Sequence, residues 1–231
     1  EGLGYGESVG AMVENEGLKI PSEDDLAQVI QQNLLADPEI VLVDIHEGRL
    51  AMAEQAVRKI LEAGRYAARV TTTTDRRTGL EGADAVMVTI LCGDVDTWQH
   101  DILIPKKYGV DTNIGDTRGP SGVFRALRTI PVMLGIVKDM ERYCPDAILL
   151  NYTNPMSMLC RAMTKATGIK LVGLCHSVQG TTGMLANWCG APPEEIDHWV
   201  AGINHEAWVL ELRHNGKDLL PCVREQAKDP E

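Results

Sequence analysis

Three short segments between Ile148 and His205 carry the residue types best suited to chemistry. They are Asn151-Tyr152-Thr153-Asn154-Pro155-Met156, Gly173-Leu174-Cys175-His176-Ser177-Val178-Gln179-Gly180-Thr181 and Gly202-Ile203-Asn204-His205. Each follows a strand-like run, Ala147 to Leu150, Lys170 to Leu174 and Trp199 to Ile203, so each polar group is expected where a strand stops. In open α/β sheets that rim is where ligands bind. A thiolate from Cys175 and an imidazole from His205 at one rim would suit a divalent transition ion, because both are good donors to borderline metals. The bland alternative is that Cys175 is a buried small hydrophobe and His205 a hydrogen-bonded loop histidine.

The elements that must position these groups follow from periodicity. Glu39 to Ile45, EIVLVDI, is a nearly continuous apolar run ending in an acid, as expected of a strand buried on both faces of a parallel sheet. Asp44 closes it, where a carboxylate can accept ribose hydroxyls; a helix cap or a solvated loop acid is the competing reading. Arg49 to Ala63 has apolar positions at 50, 53, 57, 60 and 61, the period of an amphipathic helix. Val70 to Thr74 and Ala85 to Leu91 read as strands, and Trp98 to Tyr108 as an irregular helix broken at Pro105. Gly115-Asp116-Thr117-Arg118-Gly119-Pro120-Ser121-Gly122 reads as a loop, leading into a helix from Val123 that passes Pro131 and ends near Tyr143. Strand 147–151, helix 156–167, strand 170–175 and helix 180–189 then alternate regularly, which makes a parallel sheet the default. From Asp197 the pattern changes to strands of a mixed sheet. The expected fold is therefore α/β, a Rossmann-like parallel sheet with helices on both faces over residues 1–198, followed over 199–231 by the start of a mixed α+β catalytic region.

The segment before Glu39 fits this scheme least well. Its glycines at 2, 4, 6, 10 and 17 come close to a dinucleotide fingerprint but have no strand in front of them, and Ser22 to Leu35 reads as a helix. Elsewhere composition sets limits. The chain has 231 residues, 44% of them hydrophobic with a single Phe, so its core is built from aliphatic residues and Met. A net charge of -11 excludes nucleic acid or an anionic membrane as the main partner. No run of 18 apolar residues and no secretory leader is visible. Six cysteines lie in apolar contexts without CxxC pairs, and the expectation is six reduced thiols in a cytoplasmic protein.

Taken together, EIVLVDI with Arg49-Leu50, GDTRGPSG with ALRTIP, NYTNPM, GLCHSVQG and AGINH resemble glycoside hydrolase family 4, the NAD- and Mn-dependent glycosidases, in order and spacing over residues 39–213. Cys-His-Ser-Val-Gln-Gly is most similar to the α-galactosidase branch. The resemblance implies Cys175 and His205 as ligands of Mn²⁺, Asn154 and Asn204 on the substrate, Asp44 and Asn151 on NAD, and His176 as the proton donor, with residues 119–122 also lining the pocket. It implies a small-molecule glycoside as substrate and a homo-oligomer for the full-length protein. Family members open with a strand and a Gly-x-Gly-Ser turn and are longer, so this chain is expected to be atypical at its N-terminus and to lack the later part that supplies the C2 base. Other specificities in the family, such as α-glucosidase, a lactate/malate-type dehydrogenase using Arg118 or Arg125, and a catalytically incomplete remnant are the alternatives.

Overall fold

The structure is a computed structural model that describes residues 39–65, 68–111 and 117–228. The N-terminal glycines, the helix expected from Ser22 to Leu35 and the first two residues of the GDTRGPSG segment lie outside the described residues. The chain divides into two compact units, Glu1–Val86 with Val137–Ile148, and Met87–Ile136 with Leu149–Glu231.

In the first unit β1 (Glu39–Val43) and β2 (Arg69–Thr73) run parallel, from Glu39 opposite Arg69 to Val43 opposite Thr73. The crossover between them is α1 (Glu47–Gly64). His46 starts this helix by accepting the Arg49 N–H at 3.3 Å, and Arg65, left-handed at φ 54, ends it by returning its N–H to the carbonyls of Leu61 and Glu62. Arg58 holds the helix to the sheet, reaching Glu54 at 2.7 Å and the Val70 carbonyl oxygen at 3.0 Å. A short helix that periodicity does not reveal, α2 (Arg76–Leu80), is capped by the Asp75 carboxylate, and its Arg76 pairs with Asp139. Leu50, Val70, Leu80, Met140 and Ala147 are buried here. The expectation that β1 is buried on both faces is not met: Val41 and Val43 stay 37% and 42% exposed on the face that the 5-residue helix α2 covers in part, through Gly79.

The second unit holds most of a three-stranded sheet of order β3 (Ala85–Val88), β4 (Ile148–Asn151), β5 (Leu171–Gly173). The strands β4 and β5 are parallel, Leu149 opposite Leu171 and Asn151 opposite Gly173. The division between units falls inside β3, α4 (Gly119–Tyr143) and the head of β4, so these elements belong to both. Helix α3 (Val95–Lys106) starts on Asp94, whose carboxylate accepts from the N–H and hydroxyl of Thr97, both at 2.7 Å; these donors hold the Asp94 carboxyl below its usual range. Pro105 does not break it but lies in its last turn, where little helix remains to be lost. Buried Asp101 takes both terminal nitrogens of Arg128, at 2.8 and 2.6 Å, tying α3 to α4. Helix α4 begins at Gly119, four residues before the expected Val123, so the Gly-Pro-Ser-Gly stretch is its first turn and not a loop; proline at the second position of a helix gives up no bond.

Beyond β4 come α5 (Met156–Ala166) and, after β5, α6 (Ser177–Trp188). Leu149, Leu159 and Met163 are fully buried, each worth about 1.5–3 kcal/mol of transfer free energy as an upper estimate. An antiparallel sheet follows, β6 (Ile196–Ile203), β7 (Glu206–His214) and β8 (Lys217–Asp218), then α7 (Leu220–Gln226). Leu185, Ala186, Ala191, Ile196, Leu212 and Leu219 pack into its core. Beside them Cys189 and Cys222 form a disulfide, which corrects the expectation of six thiols; Cys92, Cys144, Cys160 and Cys175 are free. The architecture is α/β as expected, parallel strands alternating with helices before an antiparallel region. Among the described residues no helix is long and apolar enough to cross a membrane.

Candidate functional site

The β4 strand ends in a turn that consumes its own polar groups. Asn151 is fully buried; its Oδ1 accepts the Thr153 N–H at 3.1 Å, and its Nδ2 donates to the Thr153 carbonyl at 3.1 Å and to Cys160 Sγ at 3.6 Å. Thr153 in turn receives the Ile90 N–H on its hydroxyl at 3.0 Å. The side chain expected on the cofactor is thus spent on holding the turn. Burial pushes the Cys160 thiol up and so favours its neutral form, against the partial opposition of the Asn151 hydrogen bond. What the turn presents is Tyr152 and Asn154.

Cys175 follows β5 at the N-terminus of α6, two residues before Ser177. Its sulfur lies 3.0 Å from the Nδ2 donor of Asn204, 3.4 Å from the Ser177 N–H, and as a thiol donates to Ser177 Oγ at 3.2 Å. His176 precedes the helix, exposed, with its ring 6.2 Å from that of Tyr152.

Asn204 and His205 form the two-residue tip between β6 and β7, where Ile203 faces Glu206 and Gly202 faces Ala207. Gly202 sits at φ 150, and a Cβ there would come 2.4 Å from the Glu206 carbonyl oxygen and 2.5 Å from Ala207 Cα, so the tip closes only over glycine. The tip is strapped from outside by Arg118, whose guanidinium is 2.9 Å from the Glu206 carboxylate, and by Thr117, whose hydroxyl is 2.9 Å from His205 Nδ1.

These three corners enclose a cleft of about 210 Å³. Five of the seven residues singled out from sequence line it, Asn154, Cys175, His176, Asn204 and His205, together with Tyr152, Leu174 and Ser177. Tyr152 and Ser177 stood inside the quoted segments and were passed over because neither type announces a ligand. Thr117 had only its place in a polar loop to mark it. Asp44 lies in the first unit. Its Oδ1 accepts the His46 N–H at 2.7 Å and Arg49 Nη2 at 3.0 Å, and its Oδ2 accepts Arg49 Nε at 3.3 Å. The Arg49 guanidinium first, and the His46 amide second, hold the Asp44 carboxyl below the usual carboxylate range.

The cleft suits a weakly held, accessible cation. Among the described residues no three His, Cys, Asp or Glu side chains converge; Cys175 and His205, both in the cleft lining, are donor types that could hold a metal with positions left open. On a metal-bound thiolate the Asn204 and Ser177 donors around Cys175 Sγ would satisfy the remaining lone pairs. Among the described residues the buried Asn204 Oδ1 has no hydrogen-bond partner, an acceptor that a ligand hydroxyl would satisfy.

Residues 17–190 match the sequence model of the family 4 glycosyl hydrolases, and residues 200–231 match that of the family's C-terminal domain. The chain is 39% identical over 214 residues to an alpha-galactosidase of Bacillus subtilis (strain 168), which is 92% of this chain and 50% of that protein. It is 35% identical over 208 residues to an alpha-glucosidase of Erwinia rhapontici, 88% of this chain and 46% of that one. The chain thus spans about half the length of the curated relatives it matches. Its fold superposes on a 6-phospho-alpha-glucosidase from gut microorganisms, solved in complex with NAD and Mn²⁺, with a TM-score of 0.77 at 21% identity, covering 89% of this chain and 47% of that one. Because the family match takes in the β1 end, the β4 turn and the Cys175 corner, and its C-terminal model resumes at the Asn204-His205 tip, the chain belongs to family 4 of the glycosyl hydrolases.

Proposed function

We propose that this chain is the cofactor- and metal-binding part of a glycosidase that hydrolyses α-galactosides with NAD and a divalent ion such as Mn²⁺. The observation that carries the reading is the cleft in which Cys175 and His205 meet Asn154, His176 and Asn204. Its volume is below the ~300–1,000 Å³ of pockets for drug-sized ligands, and fits one sugar ring. Residues 1–198 form the dinucleotide-binding domain and 199–231 the start of the substrate and metal domain, a division supported by the first family match ending at residue 190 and the second beginning at 200.

Family 4 enzymes stand outside the two-carboxylate scheme of glycosidases. Breaking the bond by elimination needs an acidic C2 proton, which an ordinary sugar lacks and a C3 ketone provides. Bound NAD⁺ would supply the hydride-transfer chemistry that makes such a ketone, and a divalent ion held by Cys175 and His205 would supply Lewis acidity. The chain's own residues take several of the remaining roles, and the base that receives the C2 proton is not assigned among them. Cys175 and His205 hold the ion. Asn154, and Asn204 through its unpartnered Oδ1, orient the ring by its hydroxyls. His176, exposed beside the cleft, gives a proton to the departing glycosidic oxygen. Asp44 takes the cofactor ribose, and Asn151 contributes by fixing the turn that presents Tyr152 and Asn154.

An α-glucoside is the second reading of the substrate, favoured by the Erwinia relative. A dehydrogenase reading is disfavoured by Arg118, whose charge is already matched by Glu206. A homo-oligomer is part of the proposal, supported by the exposed Phe124 and Leu127 on α4. A cytoplasmic setting draws support from the four free cysteines, with the Cys189–Cys222 link as the observation against it; thiol titration of the denatured, unreduced protein decides between four reactive groups and six. For the chemistry, galactoside and glucoside turnover is measured with and without NAD⁺ and Mn²⁺, using substrate deuterated at C2. Activity that needs both additions and washes the label into solvent is expected. Full retention of deuterium, or turnover without NAD⁺, overturns the elimination route, and binding of both cofactors without turnover identifies a catalytically incomplete remnant.

A further inference from the structure

Each proposed metal ligand has a neighbour that holds it. For Cys175 that neighbour is Asn204, Nδ2 to Sγ at 3.0 Å. For His205 it is Thr117, 88 residues away in sequence, whose Oγ1 is 2.9 Å from Nδ1. Resting on the reading that Cys175 and His205 bind a divalent ion, we propose that Thr117 is a positioning residue. Its hydroxyl oxygen accepts the Nδ1 proton of His205, fixing the ring and leaving Nε2 as the nitrogen that binds metal.

Three features favour a fixed hydroxyl over a casual contact. Thr117 is only 3% exposed, so solvent offers its oxygen little competition. Its backbone is pinned by the first turn of α4: a Cβ on Gly122 would lie 2.6 Å from the Thr117 carbonyl carbon and 2.9 Å from its oxygen, and the Gly122 N–H reaches the Arg118 carbonyl at 3.2 Å. The next residue repeats the grip, Arg118 pairing with Glu206 at 2.9 Å, so two consecutive residues clasp two consecutive residues of the β6–β7 tip. A histidine at a hairpin tip has no sheet neighbour to stop its ring turning, and an imidazole donates a lone pair to metal only from the nitrogen without the proton. Partners of this kind, which fix tautomer and ring orientation, typically change metal affinity 10–100-fold when removed.

The test uses the chain labelled with ¹⁵N-histidine and titrated with ¹¹³Cd²⁺, beside Mn²⁺ calorimetry of wild type, Thr117→Val and Thr117→Ser. Wild type is expected to show cadmium coupling on His205 Nε2 and a slowly exchanging Nδ1 proton. Thr117→Val, equal in shape but without the hydroxyl, is expected to bind both ions roughly 10–100-fold more weakly with that proton exchanging fast, and Thr117→Ser to restore both readouts. Coupling on Nδ1 in wild type overturns the proposal without reference to any variant. Wild-type affinity and proton protection in Thr117→Val overturn the role of Thr117 alone, whereas absence of metal binding in wild type overturns the metal reading and this one together.

Discussion

The strand ends after β1 and β5 carry an acid and a thiol that have been put to different use. After β1, Asp44 meets Arg49 in an open setting, the two side chains 33% and 57% exposed, where water and salt screen the pair. After β5, Cys175 is met by Asn204, the Ser177 amide and the Ser177 hydroxyl at the edge of a cleft. The first group is held by neighbours within five residues of sequence, the second by a contact across 29. At Cys175 a remote segment is brought to the strand end, whereas the contacts that hold Asp44 are all local.

The comparison breaks most visibly if the thiol corner proves dispensable. Cys175→Ser and His205→Ala are each expected to weaken Mn²⁺ binding by more than about 100-fold, and wild-type calorimetry in either variant would sink the metal site. Next in size is Gly202→Ala. Forcing a side chain at φ 150 against the Glu206 carbonyl should cost about 3 kcal/mol or more and take the tip with it, so urea unfolding and metal titration should suffer together. A variant as stable as wild type would show that the tip does not need its present shape.

Smaller effects belong to the open strand end. Asp44→Ala is expected to reduce NAD affinity about 10-fold in a fluorescence titration while unfolding stays two-state and nearly unchanged; unaltered affinity removes Asp44 from the cofactor site. Smallest of all is Arg49→Gln. It should let the Asp44 carboxyl titrate closer to the ordinary value of about 3.9, followed by carboxyl ¹³C shifts. Because the folded value is the lowered one, the stability this pair lends is present above the ordinary value and lost as pH falls through the lowered one. A titration curve indistinguishable from wild type would mean that Arg49 does not hold the carboxylate in solution.

Much of this could be read in the sequence, for identifiable reasons. Strands β4 to β6 announced themselves because apolar runs ended in Asn, Cys and Asn-His, and five of the residues so marked do share a cleft. Periodicity could not tell that Asn151 is turned inward while Asn154, three residues on, lines the cleft: both are asparagines at a strand end, and only the hydrogen-bond partners differ. Gly-Pro-Ser-Gly was read as a loop from composition, although proline near a helix start is compatible with the first turn. The Cys189–Cys222 pair was invisible because the residues are 33 apart with nothing in their spacing to connect them. Thr117 was hidden for a similar reason, since its partner is 88 residues downstream.

That distance has a bearing on how the chain folds. Closing a loop from Thr117 to His205 is entropically costly, and contacts of such separation form late, after the local helices and the parallel pairs they connect. The Thr117 hold on His205 is therefore expected among the later contacts of the second unit to form. An ion that recognises only the finished arrangement draws the population toward the native state by mass action, by RT ln(1 + [ion]/Kd). The thermal midpoint should then climb with ion concentration, so the metal serves as a gauge of whether folding has gone to completion.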